Sequence, residues 1–81
     1  MIISVQFYGF QRTLTQTHEI EVSILKAGKV KDVFVFVKEN YPDLHLNEKE
    51  TLITVNNRLS RMNGPLKPKD KVAFLPHIGG G

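Results

Sequence analysis

From Ile2 to Phe7 apolar and polar side chains alternate, with Ile3, Val5 and Phe7 on one face and Ser4 and Gln6 on the other. A period of two marks a strand with one buried face. Gly9 to Gln16 reads as a polar connection, after which Ile20, Val22 and Ile24 interleave with Glu19, Glu21 and Ser23. This second strand is expected to pair antiparallel with the first as a hairpin. Between Lys29 and Tyr41 two periods compete. Val33, Val35 and Val37 alternating with Phe34 and Phe36 have the propensity of a strand. Val30, Val33, Phe34, Val37 and Tyr41, however, fall at i, i+3, i+4, i+7 and i+11, which is one face of a helix. Lys31, Asp32, Lys38 and Glu39 lie largely off that stripe and Pro42 supplies a stop, so a helix of about three turns is expected. Gly28 brings no capping side chain, and the helix should therefore depend on docking against the sheet.

Asp43 to Lys49 is polar and reads as a loop, followed by a strand over Thr51 to Val55. Asn56-Asn57 tolerates left-handed backbone and marks a tight turn into a short strand around Leu59 to Met62. Asn63-Gly64-Pro65 breaks the chain again, and Leu66 should anchor the following loop in the core. A last strand over Lys71 to Leu75 puts Val72 and Phe74 on one face and ends at Pro76. The order ββαβββ suits an α+β grasp fold, a mixed sheet of about five strands packed on one main helix with the last strand beside the first. An SH3-like or OB barrel stays open on pattern alone. The expected division is a grasp domain over residues 1–75 and a flexible C-terminal tail over 76–81.

At 81 residues and 41% hydrophobic content the chain holds one compact domain and not two. It has no cysteine, which removes a thiol nucleophile, a cysteine-based zinc site and an iron-sulfur cluster, and is compatible with a reducing compartment. The first ten residues lack a basic stretch followed by a long apolar core, and no segment approaches the roughly 20 apolar residues of a membrane span. A soluble, cytoplasmic protein is expected, without a membrane partner. Eleven basic against eight acidic side chains leave a modest net charge of +3. His18, His45 and His77 have no ligand spacing, so no metal is assigned. Asp32, Glu39, Glu48 and Glu50 carry no mark of a catalytic pair, and catalysis by this chain alone is not expected. Arg58, Arg61, Lys67, Lys69 and Lys71 concentrate positive charge without interleaved aromatics, which fits a partner-protein surface better than nucleic acid. Tyr8, Phe10 and Leu75 would form an apolar docking patch if they face outward, or complete the core if they do not.

The last eight residues, Phe74-Leu75-Pro76-His77-Ile78-Gly79-Gly80-Gly81, end in three glycines. Without Cβ atoms such a tail can thread a channel too narrow for other residues and lie close to a bound nucleotide. Extended from Pro76, six residues reach at most about 20 Å, enough to enter a deep site on another protein. A carboxylate is a poor electrophile, so acyl chemistry at Gly81 needs activation, most simply by attack on ATP to give an acyl-adenylate. The chain has no phosphate-binding loop, so a separate enzyme would have to use the ATP, and no cofactor is expected on this chain. A frayed terminus or an expression scar is the competing reading of a glycine-rich end.

The run Leu66-Lys67-Pro68-Lys69-Asp70-Lys71-Val72-Ala73-Phe74-Leu75-Pro76, then Ile78 and the glycines, resembles the closing motif of the small subunit of molybdopterin synthase. Ile53-Thr54-Val55-Asn56 is similar to that family's Val-Asn strand end, and Val5, Phe7, Gly9 and Arg12 to its first strand and following arginine. The resemblance implies a ubiquitin-like β-grasp fold and a sulfur carrier. An E1-like enzyme would adenylate Gly81, sulfur from a donor protein would replace the AMP, and the thiocarboxylate would be delivered to an acceptor. Gly80 and Gly79 would give steric access, and Phe74, Leu75, Pro76, His77 and Ile78 would meet the partner. In the molybdenum branch that partner is the large synthase subunit; the thiamine-pathway sulfur carrier is a close relative. Lys69 stands where the family has glycine and is expected to alter the turn, since non-glycine residues resist positive φ. His77 replaces a common second proline.

Overall fold

A computed structural model of the protein describes residues 1–76. Its elements are β1 (Ile2–Gln6), α1 (Phe10–Thr15), β2 (Glu19–Ser23), α2 (Val30–Asn40), β3 (Thr51–Val55), β4 (Arg58–Ser60) and β5 (Lys71–Pro76), with 3₁₀ turns at Pro42–Leu44 and Glu48–Glu50. The strands form one sheet in the order β2-β1-β5-β3-β4. β1 runs antiparallel to β2 and parallel to β5, and β3 runs antiparallel to both β4 and β5. This is a mixed five-stranded sheet with one main helix, the ubiquitin-like β-grasp.

Alternation decides what each strand buries. Ile3, Val5, Val22 and Val72 are essentially inaccessible, and Phe7, Ile53 and Phe74 join them beneath α2. In α2 the helical period prevails over β-propensity: Val30, Val33, Phe34 and Val37 are buried, whereas Val35 and Phe36 are exposed. A strand over the same residues would need apolar cover on both faces, while a helix turns one face to the sheet. Phe34 meets Phe74 edge to face with centroids 5.4 Å apart, and Phe7 meets Tyr41 likewise at 5.6 Å. Leu66 is buried as expected.

The start of α2 shows how docking replaces a cap. The N–H groups of Val30 and Lys31 donate to the carbonyls of Gly64 and Met62 at 3.0 and 2.8 Å. Asp32 also caps the turn, its carboxylate accepting from the Lys29 N–H at 2.8 Å, a role the sequence reading did not give it. Gly28 has a packing reason to be glycine, because a Cβ there would lie 2.5 Å from Ile24 Cδ1 and 2.9 Å from the Leu25 carbonyl.

Several expectations are corrected. Gly9 to Gln16 is not a plain connection; it holds α1, which the six-residue length hid from periodicity. β1 and β2 pair antiparallel as expected, with this helix between them. The Asp43 to Lys49 loop carries parts of the two 3₁₀ turns, and β4 starts and ends earlier than predicted. Asn56 and Asn57 do adopt positive φ, 52° and 69°. Lys69, expected to change its turn, takes the left-handed conformation anyway with φ 71°. Asp70 holds it there: one carboxylate oxygen accepts from the Lys67 N–H at 2.8 Å and the other from Asn56 Nδ2 at 2.9 Å. Lys69 N–H also donates to the Ile2 carbonyl at 2.9 Å.

Phe74→Ala removes one half of the central aromatic contact and is expected to cost about 3–5 kcal/mol, read from the midpoint of urea unfolding. A loss below about 1 kcal/mol would mean that the core collapses around the missing ring.

Candidate functional site

The place to look for function is the sheet end from which the glycine tail continues. β5 lies between β1 and β3, but its two neighbours stop at different points. Antiparallel pairing with β3 continues to Thr51 opposite Pro76, so the strand runs one residue beyond the expected domain limit. Parallel pairing with β1 ends at Gln6 opposite Ala73, because the chain there turns away through Gly9, at φ 52°, into α1. The carbonyl of Phe74 would be left without a strand partner. Gln11 of α1 supplies one: its side chain is buried, and its Nε2 donates to the Phe74 carbonyl. The arrangement continues the ladder with a side chain and fixes β5 up to the point where the chain emerges.

Apolar groups surround that point on two sides. On the face away from α2, Leu52 stands opposite Leu75 in the pairing register. Leu52 is exposed and Leu75 half-buried. Exposed Tyr8 donates its hydroxyl hydrogen to Gln6 Oε1 at 2.8 Å. On the helix side, Phe10, Leu14, Leu44, Leu46, Thr51 and Pro76 line an open groove of about 270 Å³. Phe10 is 76% exposed. Contiguous apolar surface of this kind marks a protein contact more often than an isolated exposed leucine does.

The residues expected to meet a partner therefore separate. Phe74 is core, since alternation along β5 turns it toward Phe34; Leu75 faces outward and Pro76 is exposed at the strand end. His77, Ile78, Gly79, Gly80 and Gly81 lie outside the described residues. Of the three patch candidates, Tyr8 and Leu75 border the outer face, while Phe10 lines the groove on the other. Gln11 and the groove residues Leu14, Leu44 and Leu46 were missed by the sequence reading. Only tertiary folding brings α1 to the 44–47 segment. Among the described residues no group of three or more His, Asp or Glu is placed to hold a metal, and no helix is long and apolar enough to cross a membrane. No buried side-chain nitrogen or oxygen among them lacks a hydrogen-bond partner.

Comparison with known proteins places this geometry. The ThiS family model matches residues 5–81, whereas no curated protein sequence gives a significant match. Among solved structures, one assigned to molybdopterin converting factor subunit 1 of Pyrococcus furiosus superposes with a TM-score of 0.82 at 21% identity, covering 96% of this chain and 99% of that one. Small archaeal modifier protein 1 from Methanosarcina acetivorans gives 0.78 at 23% identity, covering 99% and 96%. A complex of subunits 1 and 2 of the molybdopterin-converting factor from Helicobacter pylori matches with 0.68 at 23% identity, over the whole of both chains. The likeness to all three is one of fold.

Gln11→Ala leaves the Phe74 carbonyl unpaired in the interior and is expected to destabilise the fold by about 1–3 kcal/mol. Native-state hydrogen exchange should show the loss concentrated at the end of β5 and the opposing Thr51 and Leu52. Uniform loss over the sheet would reject the local role assigned to Gln11.

Proposed function

The chain belongs to the ThiS family, and from this premise we propose that it is a sulfur carrier whose C-terminal Gly81 is converted to a thiocarboxylate. The observation that carries the reading is the position of β5: a strand held on both sides inside a packed sheet is followed, after His77 and Ile78, by a run of glycines, with exposed apolar surface on either side of the strand end. The folded body supplies recognition and the tail supplies reach. A carboxylate oxygen of Gly81 attacks the α-phosphorus of ATP in the active site of an E1-like enzyme, and pyrophosphate leaves. A persulfide sulfur of the donor protein then displaces AMP from the acyl carbon, and reductive cleavage of the resulting acyl disulfide by a thiol frees the thiocarboxylate. Gly79 and Gly80 keep the approach narrow enough for the enzyme to enclose the reacting carbon.

The specific pathway we propose is molybdopterin synthesis, with this chain as the small subunit of the synthase and its tail entering the large subunit. The motif from Leu66 to Pro76, and the fold shared with converting-factor subunits, support it. Tyr8, Leu52 and Leu75 on the outer face are the proposed docking residues for that subunit, and Phe10 with the groove a second contact. His77 and Ile78 would line the route inward. A second reading, a ubiquitin-like modifier joined through Gly81 to a lysine, is favoured by the fold shared with the archaeal modifier protein.

Intact mass spectrometry after incubation with ATP, an E1-like enzyme and a sulfur donor separates these. A gain of about 16 Da on Gly81, absent when Gly80 and Gly81 are deleted, is the expected result and corresponds to oxygen replaced by sulfur at the acyl carbon. Isopeptide conjugates without thiocarboxylate would favour the modifier, and no product with active cognate enzymes would reject both. Tyr8→Ser with Leu75→Ser should raise the large-subunit Kd at least about tenfold, by loss of apolar contact, measured by titration calorimetry on variants that remain folded.

A further inference from the structure

Charge is distributed unevenly over the fold. Of the eleven basic residues, three lie within 26–31, two within 58–61 and three within 67–71. The 26–31 and 67–71 segments and Arg58 meet at the end of the sheet opposite Pro76, whereas Arg61 follows Ser60, which the register puts level with Phe74. Backbone hydrogen bonds fix this placement: Leu66 N–H to the Gly28 carbonyl at 3.3 Å, Lys69 N–H to Ile2 at 2.9 Å and Asn56 N–H to Lys71 at 2.7 Å, with Arg58 paired to Val55 in the same hairpin. All seven basic residues at this end, Lys26, Lys29, Lys31, Arg58, Lys67, Lys69 and Lys71, are exposed. The segments contain one carboxylate, Asp70, and Asp32 follows the first of them; both are engaged by backbone N–H groups. Seven cationic side chains therefore stand against two carboxylates at this end, an excess of positive charge.

Lys69 adds an independent observation. Pro68 and Lys69 occupy the centre of a turn closed by Asp70 N–H donating to the Lys67 carbonyl at 3.1 Å. With φ 71°, Lys69 sits where glycine is the relaxed choice. A long cationic side chain kept at a strained backbone position points to a use for that side chain. Nothing in the packing asks for it, since Lys69 is exposed.

The kind of anion follows from what accompanies the charge. The three basic segments contain no aromatic residue, so they offer no stacking platform for single-stranded nucleic acid. Instead, two of the most exposed large hydrophobic residues, Leu25 and Leu59, flank them. Apolar anchors rimmed by charge are the anatomy of a protein contact. We propose that this pole is a docking surface for an acidic protein face, separate from the tail exit and about 20 Å from it along β5. A partner bound here leaves the last residues free, so the protein can be held at one end while the other is handed to an enzyme. Docking at this pole requires none of the tail chemistry.

Amide chemical shifts of the full-length chain, titrated with poly-L-glutamate, single-stranded RNA and anionic lipid vesicles at matched charge concentration, test it. With poly-L-glutamate the shifts should concentrate at residues 26–31, 58–60 and 67–71. Lys67→Glu/Lys69→Glu/Lys71→Glu should weaken binding at least about tenfold, and the charge-matched Arg12→Glu/Lys38→Glu/Lys49→Glu less than about threefold. Lys69→Gly guards against simple unfolding: Tm should be no lower than the parent's while affinity falls about two- to threefold. Equal loss in the two triple variants would reduce the effect to net charge and overturn the proposal. So would a lower Tm or unchanged affinity in Lys69→Gly, or tighter binding of RNA or vesicles than of poly-L-glutamate.

Discussion

The last strand of this protein is the middle strand of its sheet, and most other features follow from that constraint. β5 must insert between β1 and β3, so the sheet is incomplete until the end of the chain has folded back across the whole domain. Its Val72 and Phe74 then close the core under α2. Loop-closure entropy opposes such late, non-local pairing, and burial of these side chains together with hydrogen bonding on both edges offsets it. One consequence is functional: a strand clamped on both sides delivers whatever follows it from a defined position and direction.

Gln11 shows how local chemistry serves this constraint. β1 has to leave the sheet early to reach α1, and that departure would expose one edge of β5 just where the tail begins. A side-chain amide, the only buried polar side chain among the described residues, restores the missing hydrogen bond to Phe74. The helix that carries Gln11 also places Phe10 and Leu14 beside Pro76. Closing the core and building an apolar surface around the exit are thus two results of the same short turn of helix.

In the proposed carrier role, recognition and chemistry are divided along the chain. Within the described residues the polar groups are spent on holding turns and helix ends, as Asp70, Asn56 and Asp32 illustrate. A carrier needs no catalytic cluster of its own; it needs a rigid body, an accessible acyl terminus and surfaces that choose partners. The apolar surroundings of the exit and the basic opposite pole are surfaces of different character at the two ends of β5.

Much of this was legible in the residues. Alternation identified β1, β2 and β3, the stripe from Val30 to Val37 chose helix over strand, and Asn56-Asn57 marked the hairpin, because each signal is carried by neighbours in sequence. The motif from Leu66 to Pro76 pointed to the family for the same reason. The sequence alone determined these elements, the core stripe and the glycine terminus. Only the tertiary structure decided that Gln11 is buried, that Phe74 packs inward while Leu75 faces out, that Asp32 and the Met62–Gly64 carbonyls cap α2, and that Lys69 keeps positive φ. Those outcomes depend on groups up to 63 positions apart competing for the same hydrogen bonds and the same space, and no local period records that competition.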